Sequence, residues 1–154
     1  MFVTDISITY DTAAADDIPV IFALAKDLID TYEDIGSIDY DSVTGWVLNK
    51  ISRNIADYRC IIVNGIKAGY YCLSQEVGQT ELDDFYILPE FRGQGIGSAV
   101  LSHCIAQTAT PLFLYVFKLN QKAIKLYSRM GFSVSEEVGN TRYIMRREVD
   151  RPTA

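Results

Sequence analysis

The hydrophobic period changes at residue 59, and that change does most to limit the folds open to this chain. Before it, apolar residues recur at helical spacing. Ile21, Leu24, Ala25 and Leu28 form one stripe, and Val43, Trp46, Val47, Ile51 and Ile55 form another. From Arg59 to Val63 the period is two; Asn64-Gly65 follows, and the alternation resumes from Ile66 to Leu73. Asn-Gly suits the type I′ turn, which needs a left-handed backbone at both central residues, so this stretch predicts a hairpin. Gly78 marks a second turn, and Glu81–Leu88 reads as a third strand stopped by Pro89.

The rest of the chain falls into place around that meander. Phe2–Tyr10 alternates and predicts a first strand. Asp16, Asp17 and Pro19 open a helix over 16–30, where acids suit the positive helix end. Residues 31–41 read as a polar, aromatic loop, and Ser42 is the expected cap of the second helix. Further helices are predicted at 95–108 and 120–130, the latter closed by Gly131, with a strongly apolar strand at 112–117 between them. Two last strands, 132–138 and 141–147, turn at Gly139-Asn140. The order β-α-α-β-β-β-α-β-α-β-β predicts a mixed α/β fold, a largely antiparallel sheet flanked by helices. No repeat or linker divides the chain, so residues 1–154 are expected to form one domain.

Charge is unevenly spread over the 154 residues and their net −6. Residues 1–50 hold ten acids against only Lys26 and Lys50, whereas residues 91–154 carry a net +5. Such a split argues against a nucleic-acid-binding surface and for two different partners. No apolar run approaches the roughly 20 residues of a membrane span, and Met1–Asp11 lacks the basic start of a secretory signal. Cys60, Cys72 and Cys104 are scattered among apolar neighbours and read as free buried thiols in a reducing cytoplasm. His103 is the single histidine, expected on a helix surface, so neither a metal site nor a Ser-His-Asp triad is predicted.

The stretch Leu88-Pro89-Glu90-Phe91-Arg92-Gly93-Gln94-Gly95-Ile96-Gly97-Ser98 carries the chemistry. A strand ends, a glycine-rich turn follows and a helix begins inside the turn. That arrangement aims backbone N–H groups and the positive helix end at one spot, which suits a phosphate or pyrophosphate. It lacks the lysine of a Walker loop and the third glycine of a dinucleotide fingerprint. Here the sequence resembles the GNAT superfamily of N-acetyltransferases. Arg92-x-x-Gly95-x-Gly97 is similar to that family's pyrophosphate loop. Leu114-x-Val116-x-x-x-Asn120-x-x-Ala123-x-x-Leu126-Tyr127-x-x-x-Gly131-Phe132 is similar to its second block. The resemblance covers about residues 81–132 and implies the GNAT fold, an acyltransferase activity and acetyl-CoA as co-substrate, with no metal.

Carried over residue by residue, the resemblance implies that the backbone of Phe85, Tyr86, Ile87 and Leu88 pairs with the pantetheine arm beside a splayed strand 112–117. It implies that Arg92, Gly93, Gln94, Gly95, Ile96, Gly97 and Ser98 hold the pyrophosphate. Asn120 is implied near the pantetheine and Tyr127 near the CoA sulfur, where a phenol can hydrogen-bond a leaving thiolate. The acceptor ammonium must lose a proton before it attacks, and Glu81, Asp83 and Asp84 supply carboxylates for this, Glu81 and Asp83 foremost. Plain alternation puts Glu81 and Asp83 on one face and Asp84 on the other, unless a bulge intervenes. Tyr115 fills the place where ribosomal-protein-modifying members carry their base, which disfavours a protein N-terminus as acceptor. The acidic, aromatic segment Asp27–Asp41 with Trp46 suits a cationic amine. The expectation is acetyl transfer to a primary amine of a small cationic molecule in a ternary complex. A lysine or peptide acetyltransferase and a non-catalytic acyl-CoA-binding regulatory module are the alternatives. The 132–147 hairpin is available for pairing two copies.

Overall fold

Asn64 (φ +50°) and Gly65 (φ +82°) adopt the left-handed backbone of the predicted turn, joining β2 (Tyr58–Val63) to β3 (Ile66–Glu76). A computed structural model describes residues 5–150. The remaining strands are β1 (Ile8–Thr12), β4 (Gln79–Ile87), β5 (Leu112–Phe117), β6 (Ser133–Val138) and β7 (Arg142–Arg147). The helices are α1 (Ile18–Tyr32), α2 (Tyr40–Arg53), α3 (Ile96–Ala106) and α4 (Gln121–Arg129). Together the strands form one seven-stranded sheet in the order β1-β2-β3-β4-β5-β7-β6. Every neighbouring pair is antiparallel except β4–β5. The predicted element order and fold class hold throughout.

Three local expectations need correction. The first strand starts at Ile8 and runs on to Thr12, because its partner β2 continues to Arg59; residues 2–4 of the expected strand lie outside the described residues. α2 is capped by Asp39, whose carboxylate accepts the Ser42 N–H at 3.2 Å, and Ser42 lies inside the first turn. His103 is half-buried: its ring stacks on Tyr10 at 3.9 Å and its Nε2 lies 3.4 Å from the Tyr71 hydroxyl.

The sheet buries both faces. On one, α3 and α4 bury Ile96, Val100, Leu101 and Cys104 against Ile61, Leu82, Leu114 and Met145. On the other, α1 and α2 bury Ile21, Ala25 and Ile51 against Tyr58, Cys60, Tyr70 and Tyr86. The start of α1 is tied to β3 through buried Asp17, which accepts from Lys67 Nζ and the Tyr70 hydroxyl at 2.8 Å each and from the Ala14 N–H at 2.9 Å.

Two irregularities of β4 shape the site. Leu73 pairs with Leu82 and Cys72 with Asp84, so Asp83 is an extra residue bulged out of the ladder. The parallel pairing of β4 with β5 covers only Thr80–Leu112 and Glu81–Phe113, and beyond it the two strands part. A wedge therefore opens between them, with its mouth towards the glycine turn.

Candidate active site

A 3-10 turn, Pro89–Phe91, carries β4 into the glycine-rich loop. Gly93 (φ +74°) and Gly95 (φ +80°) are left-handed, and Gly95 is the N-cap of α3. A Cβ at either would meet no atom within 4 Å and would project into the open space above the turn. The first backbone bond of α3 is Ala99 N–H to the Gly95 carbonyl, and the N–H groups from Gly93 to Ser98 have no acceptor among the described residues. Six consecutive unsatisfied donors at a helix N-terminus form a cradle for an anion. Gly97 faces α4 and β4, where a Cβ would make ordinary contact with Leu126 at 3.5 Å and Phe85 at 4.0 Å. The side chains of Arg92 and Gln94 brace the loop: Arg92 Nε donates to the Ile87 carbonyl at 2.8 Å, and Gln94 Nε2 to the Glu90 carbonyl at 3.2 Å. Asn120 caps α4 by accepting the Ala123 N–H at 3.3 Å, which leaves its amide nitrogen free among the described residues.

The bulge gathers three carboxylates on one face. Leu82, Phe85 and Ile87 pack on the α3/α4 side, while Asp84 and Tyr86 turn to the α1/α2 side. Asp83 joins Asp84 there, because Lys50 Nζ from α2 lies 2.9 Å from Asp83 and 3.7 Å from Asp84. The Trp46 ring centroid stands 5.7 Å from the same ammonium. Asp84 also accepts the hydroxyls of Tyr58 and Tyr86, and burial raises its pKa against the opposing pull of Lys50. Burial alone would lower the Lys50 pKa, but Asp84 and Asp83 outweigh it and the ammonium is held charged.

Glu81 completes the group, its carboxyl within hydrogen-bond reach of Asp83. Burial and the neighbouring Asp83 carboxylate push its pKa up to about 7, with Lys50 acting the other way. A carboxylate poised there can take a proton from an ammonium at neutral pH. Across the sheet, Tyr127 is 8% exposed and its ring lies 5.7 Å from Phe132. Burial, followed by the charge of Asp84, raises its pKa, so the phenol stays protonated. Its hydroxyl has no partner among the described residues and is a free donor. The cysteines are all unpaired and buried; burial raises Cys60 to about 11 and Cys72 and Cys104 to about 12, which leaves no thiolate nucleophile at neutral pH.

The acidic segment between α1 and α2 is partly consumed by local bonds. Asp30 accepts Lys26 Nζ at 3.0 Å and the Tyr40 hydroxyl at 2.5 Å, Asp34 accepts the Ser37 hydroxyl at 2.6 Å, and Asp39 caps α2. Asp27 and Asp41 make no ion pair among the described residues. Tyr32, at the end of α1, lies 6.2 Å from Phe117 and brings this segment over the end of β5.

Of the residues singled out from the sequence, the loop donors, the β4 edge and the three acids converge on the wedge. Lys50, Tyr58 and the Tyr86 side chain were missed. One signal for Lys50 was present: it is one of two bases among ten acids in the first 50 residues. No group of histidine, cysteine and acidic side chains among the described residues could hold a metal, and no helix there is long and apolar enough to cross a membrane.

Residues 23–132 match a family model described as the acetyltransferase (GNAT) family. A 5-NmdU N-acetyltransferase of Pseudomonas phage PaMx11 is 35% identical over 72 residues, covering 45% of this chain and 51% of that one. A thialysine N-epsilon-acetyltransferase of Sus scrofa is 35% identical over 78 residues, covering 47% and 44%. The chain spans about half the length of the curated relatives it matches. Among solved structures, the PaiA N-acetyltransferase of Thermoplasma acidophilum in complex with coenzyme A superposes with a TM-score of 0.70 at 18% identity, over 92% of this chain and 99% of that one. N-acetylglutamate synthase of Neisseria gonorrhoeae, complexed with coenzyme A and N-acetyl-glutamate, gives 0.68 at 19% identity, over 94% of this chain and 36% of that one.

Proposed function

Because the chain belongs to the acetyltransferase (GNAT) family, we propose that it transfers the acetyl group of acetyl-CoA to a primary amine of a small cationic molecule within a ternary complex. The observation that carries this reading is the β4–β5 wedge, paired at only two positions and ending at six unsatisfied N–H groups. A pyrophosphate fits that cradle, and an extended arm fits the unpaired edge of β4 as an added strand. The Leu88 N–H is bonded to the Ala68 carbonyl of β3 and Arg92 occupies the Ile87 carbonyl, so pairing of the arm centres on Phe85 and the Ile87 N–H, which face the wedge.

The Glu81–Asp83 pair acts as the base, with the proton ending on Glu81. Lys50 and two tyrosines hold Asp83 and Asp84, which leaves Glu81 as the acid with no cation or tyrosine of its own. Glu81 takes a proton from the bound ammonium; the freed nitrogen attacks the thioester carbonyl, a C–N bond forms, the nitrogen gives up its second proton to solvent and the C–S bond breaks. Tyr127 gives its phenolic proton to the departing thiolate and recovers one from solvent. Trp46, 60% exposed beside the acids, offers an aromatic face to an incoming cation. The relatives named for thialysine and 5-NmdU support an amine acceptor. Three buried, unpaired thiols agree with a reducing compartment such as the cytoplasm. β6, at one edge of the sheet, is the surface through which two copies would pair.

The test is acceptor-dependent release of CoA thiol from acetyl-CoA across a panel of amines, with mass spectrometry of the product. Release that requires a primary ammonium on the acceptor is expected. Tight acetyl-CoA binding with no release for any amine would make the protein a non-catalytic acyl-CoA binder. Faster acetylation of lysine peptides than of every small amine would move the acceptor to protein.

A further inference from the structure

The face that carries the acid nest continues past β4. Leu112, Leu114 and Val116 of β5 point into the α3/α4 core, so Phe113, Tyr115 and Phe117 look the other way. Their partners on β7 are Arg146, Ile144 and Arg142, which share that face. Phe113 and Tyr115 meet edge to face with centroids 6.3 Å apart, and Tyr115 keeps 46% of its surface exposed. They form an aromatic floor with carboxylates on one side and arginines on the other.

The arginines of β7 differ in how they are used. Arg146 donates to Glu148 and to Gln79, at 2.8 Å each, and Arg147 to Asp150 at 3.1 Å and to the Met130 carbonyl at 3.0 Å. Arg142 makes no ion pair and no hydrogen bond among the described residues, although it is half-buried. Its Nε is sealed from solvent with no acceptor, and its guanidinium lies 5.6 Å from the Tyr115 ring centroid. Glu136 and Val138, the β6 residues facing the same way, leave it unpaired. A seated, charged fork without an acid is complementary to a carboxylate, which it can hold by two parallel hydrogen bonds.

We propose that Arg142, seated on Tyr115, binds a carboxylate of the acceptor, so that the acceptor is an extended ω-amino carboxylate. The proposal rests on the acetyltransferase reading given above. Glu81 faces Phe113 across β4–β5 and Arg142 pairs with Phe117, four residues further along β5, but its guanidinium reaches back over Tyr115. An ammonium at Glu81 and a carboxylate on the guanidinium can belong to one extended molecule, because both side chains lie on the same face of the sheet. Its methylenes would lie on Tyr115, the exposed ring of the pair. The acid nest selects the ammonium and Arg142 rejects amines that lack the second charge, because an unmatched guanidinium stays unpaired.

The decisive pair of acceptors is 6-aminohexanoate and pentylamine, identical but for the carboxylate. For the unsubstituted protein, kcat/KM for 6-aminohexanoate should exceed that for pentylamine ten- to a hundredfold. Arg142→Met should bring the ratio near one, and Arg142→Lys, which keeps the charge but not the fork, should fall between. Melting temperatures of both variants check that they fold. Calorimetric binding of 6-aminohexanoate to the CoA-loaded protein supplies a readout independent of turnover. Binding that Arg142→Met abolishes supports the subsite even where turnover is slow. Equal kcat/KM for the two acceptors would overturn the subsite and leave acetyl transfer standing. Failure to bind 6-aminohexanoate would overturn it too, and failure to bind acetyl-CoA would overturn the acetyltransferase reading itself.

Discussion

If Glu81 collects the acceptor's proton, its ionisation sets how the rate follows pH. With its pKa at about 7, about one-eleventh of the carboxylate is ionised at pH 6 and ten-elevenths at pH 8, so kcat/KM for the amine should rise about tenfold across that interval. An alkylamine with a pKa of about 10.4 stays protonated over the same range and adds no inflection of its own. Glu81→Gln should erase the inflection and lower kcat by about a hundredfold or more, the usual scale of a general base. Lys50 sharpens the test, because its ammonium, 2.9 Å from Asp83 and 3.7 Å from Asp84, opposes the rise in the Glu81 pKa. Lys50→Met should therefore move the inflection above 7 and slow the enzyme at pH 7, whereas Lys50→Arg should hold it in place. The assay is initial-rate CoA release at subsaturating amine from pH 5.5 to 8.5. A flat wild-type profile between pH 6 and 8, or a Glu81→Gln enzyme keeping a third of its kcat, would refute the reasoning.

Three further outcomes follow from other parts of the molecule. Gly95→Val places a side chain at φ +80° where nothing lies within 4 Å, so the protein should stay folded at a cost of about 1–2 kcal/mol while the KM for acetyl-CoA rises about tenfold or more; an unchanged KM removes the loop from pyrophosphate binding. Tyr127→Phe should reduce kcat about tenfold and leave acetyl-CoA affinity within twofold, as read by steady-state kinetics and calorimetry, and an unaltered kcat would reduce the phenol to packing. Burial alone would raise the Asp17 pKa, but its bonds to Lys67, Ala14 and Tyr70 outweigh it and lower it. The stability this supplies is present above the unfolded value near 3.9 and is lost as pH falls through the lower folded value. Asp17→Asn should cost about 2 kcal/mol, or about 4–8 °C in Tm, at pH 7, and the gap should close below about pH 4.

Much of the fold was legible because local rules and tertiary packing agree. β2 and β3 meet at Asn64-Gly65 since that dipeptide accepts the turn's backbone angles at little cost, and β5 and α4 fall within a residue of their predicted bounds. The start of β1 and the cap of α2 were less legible, because a strand end is set by its partner and Asp39 competes with Ser42 for the same role.

The sequence by itself determined the element order, the family and the anion cradle. Each depends on residues close together in the chain: a glycine's freedom, a helix start, an apolar period. What only the tertiary structure decided is how the acids are placed. Alternation separates Glu81 and Asp83 from Asp84, and the one-residue bulge at Asp83 brings all three to one face. That bulge exists because β3 pairs with β4 out of step, a property of two strands and not of either. Lys50 arrives from another helix, 33 residues earlier, and Arg142 from a strand two places across the sheet. Charges that meet through space leave no spacing in the chain to find, so which carboxylates Lys50 holds and which it leaves aside became visible only once the sheet had closed around them.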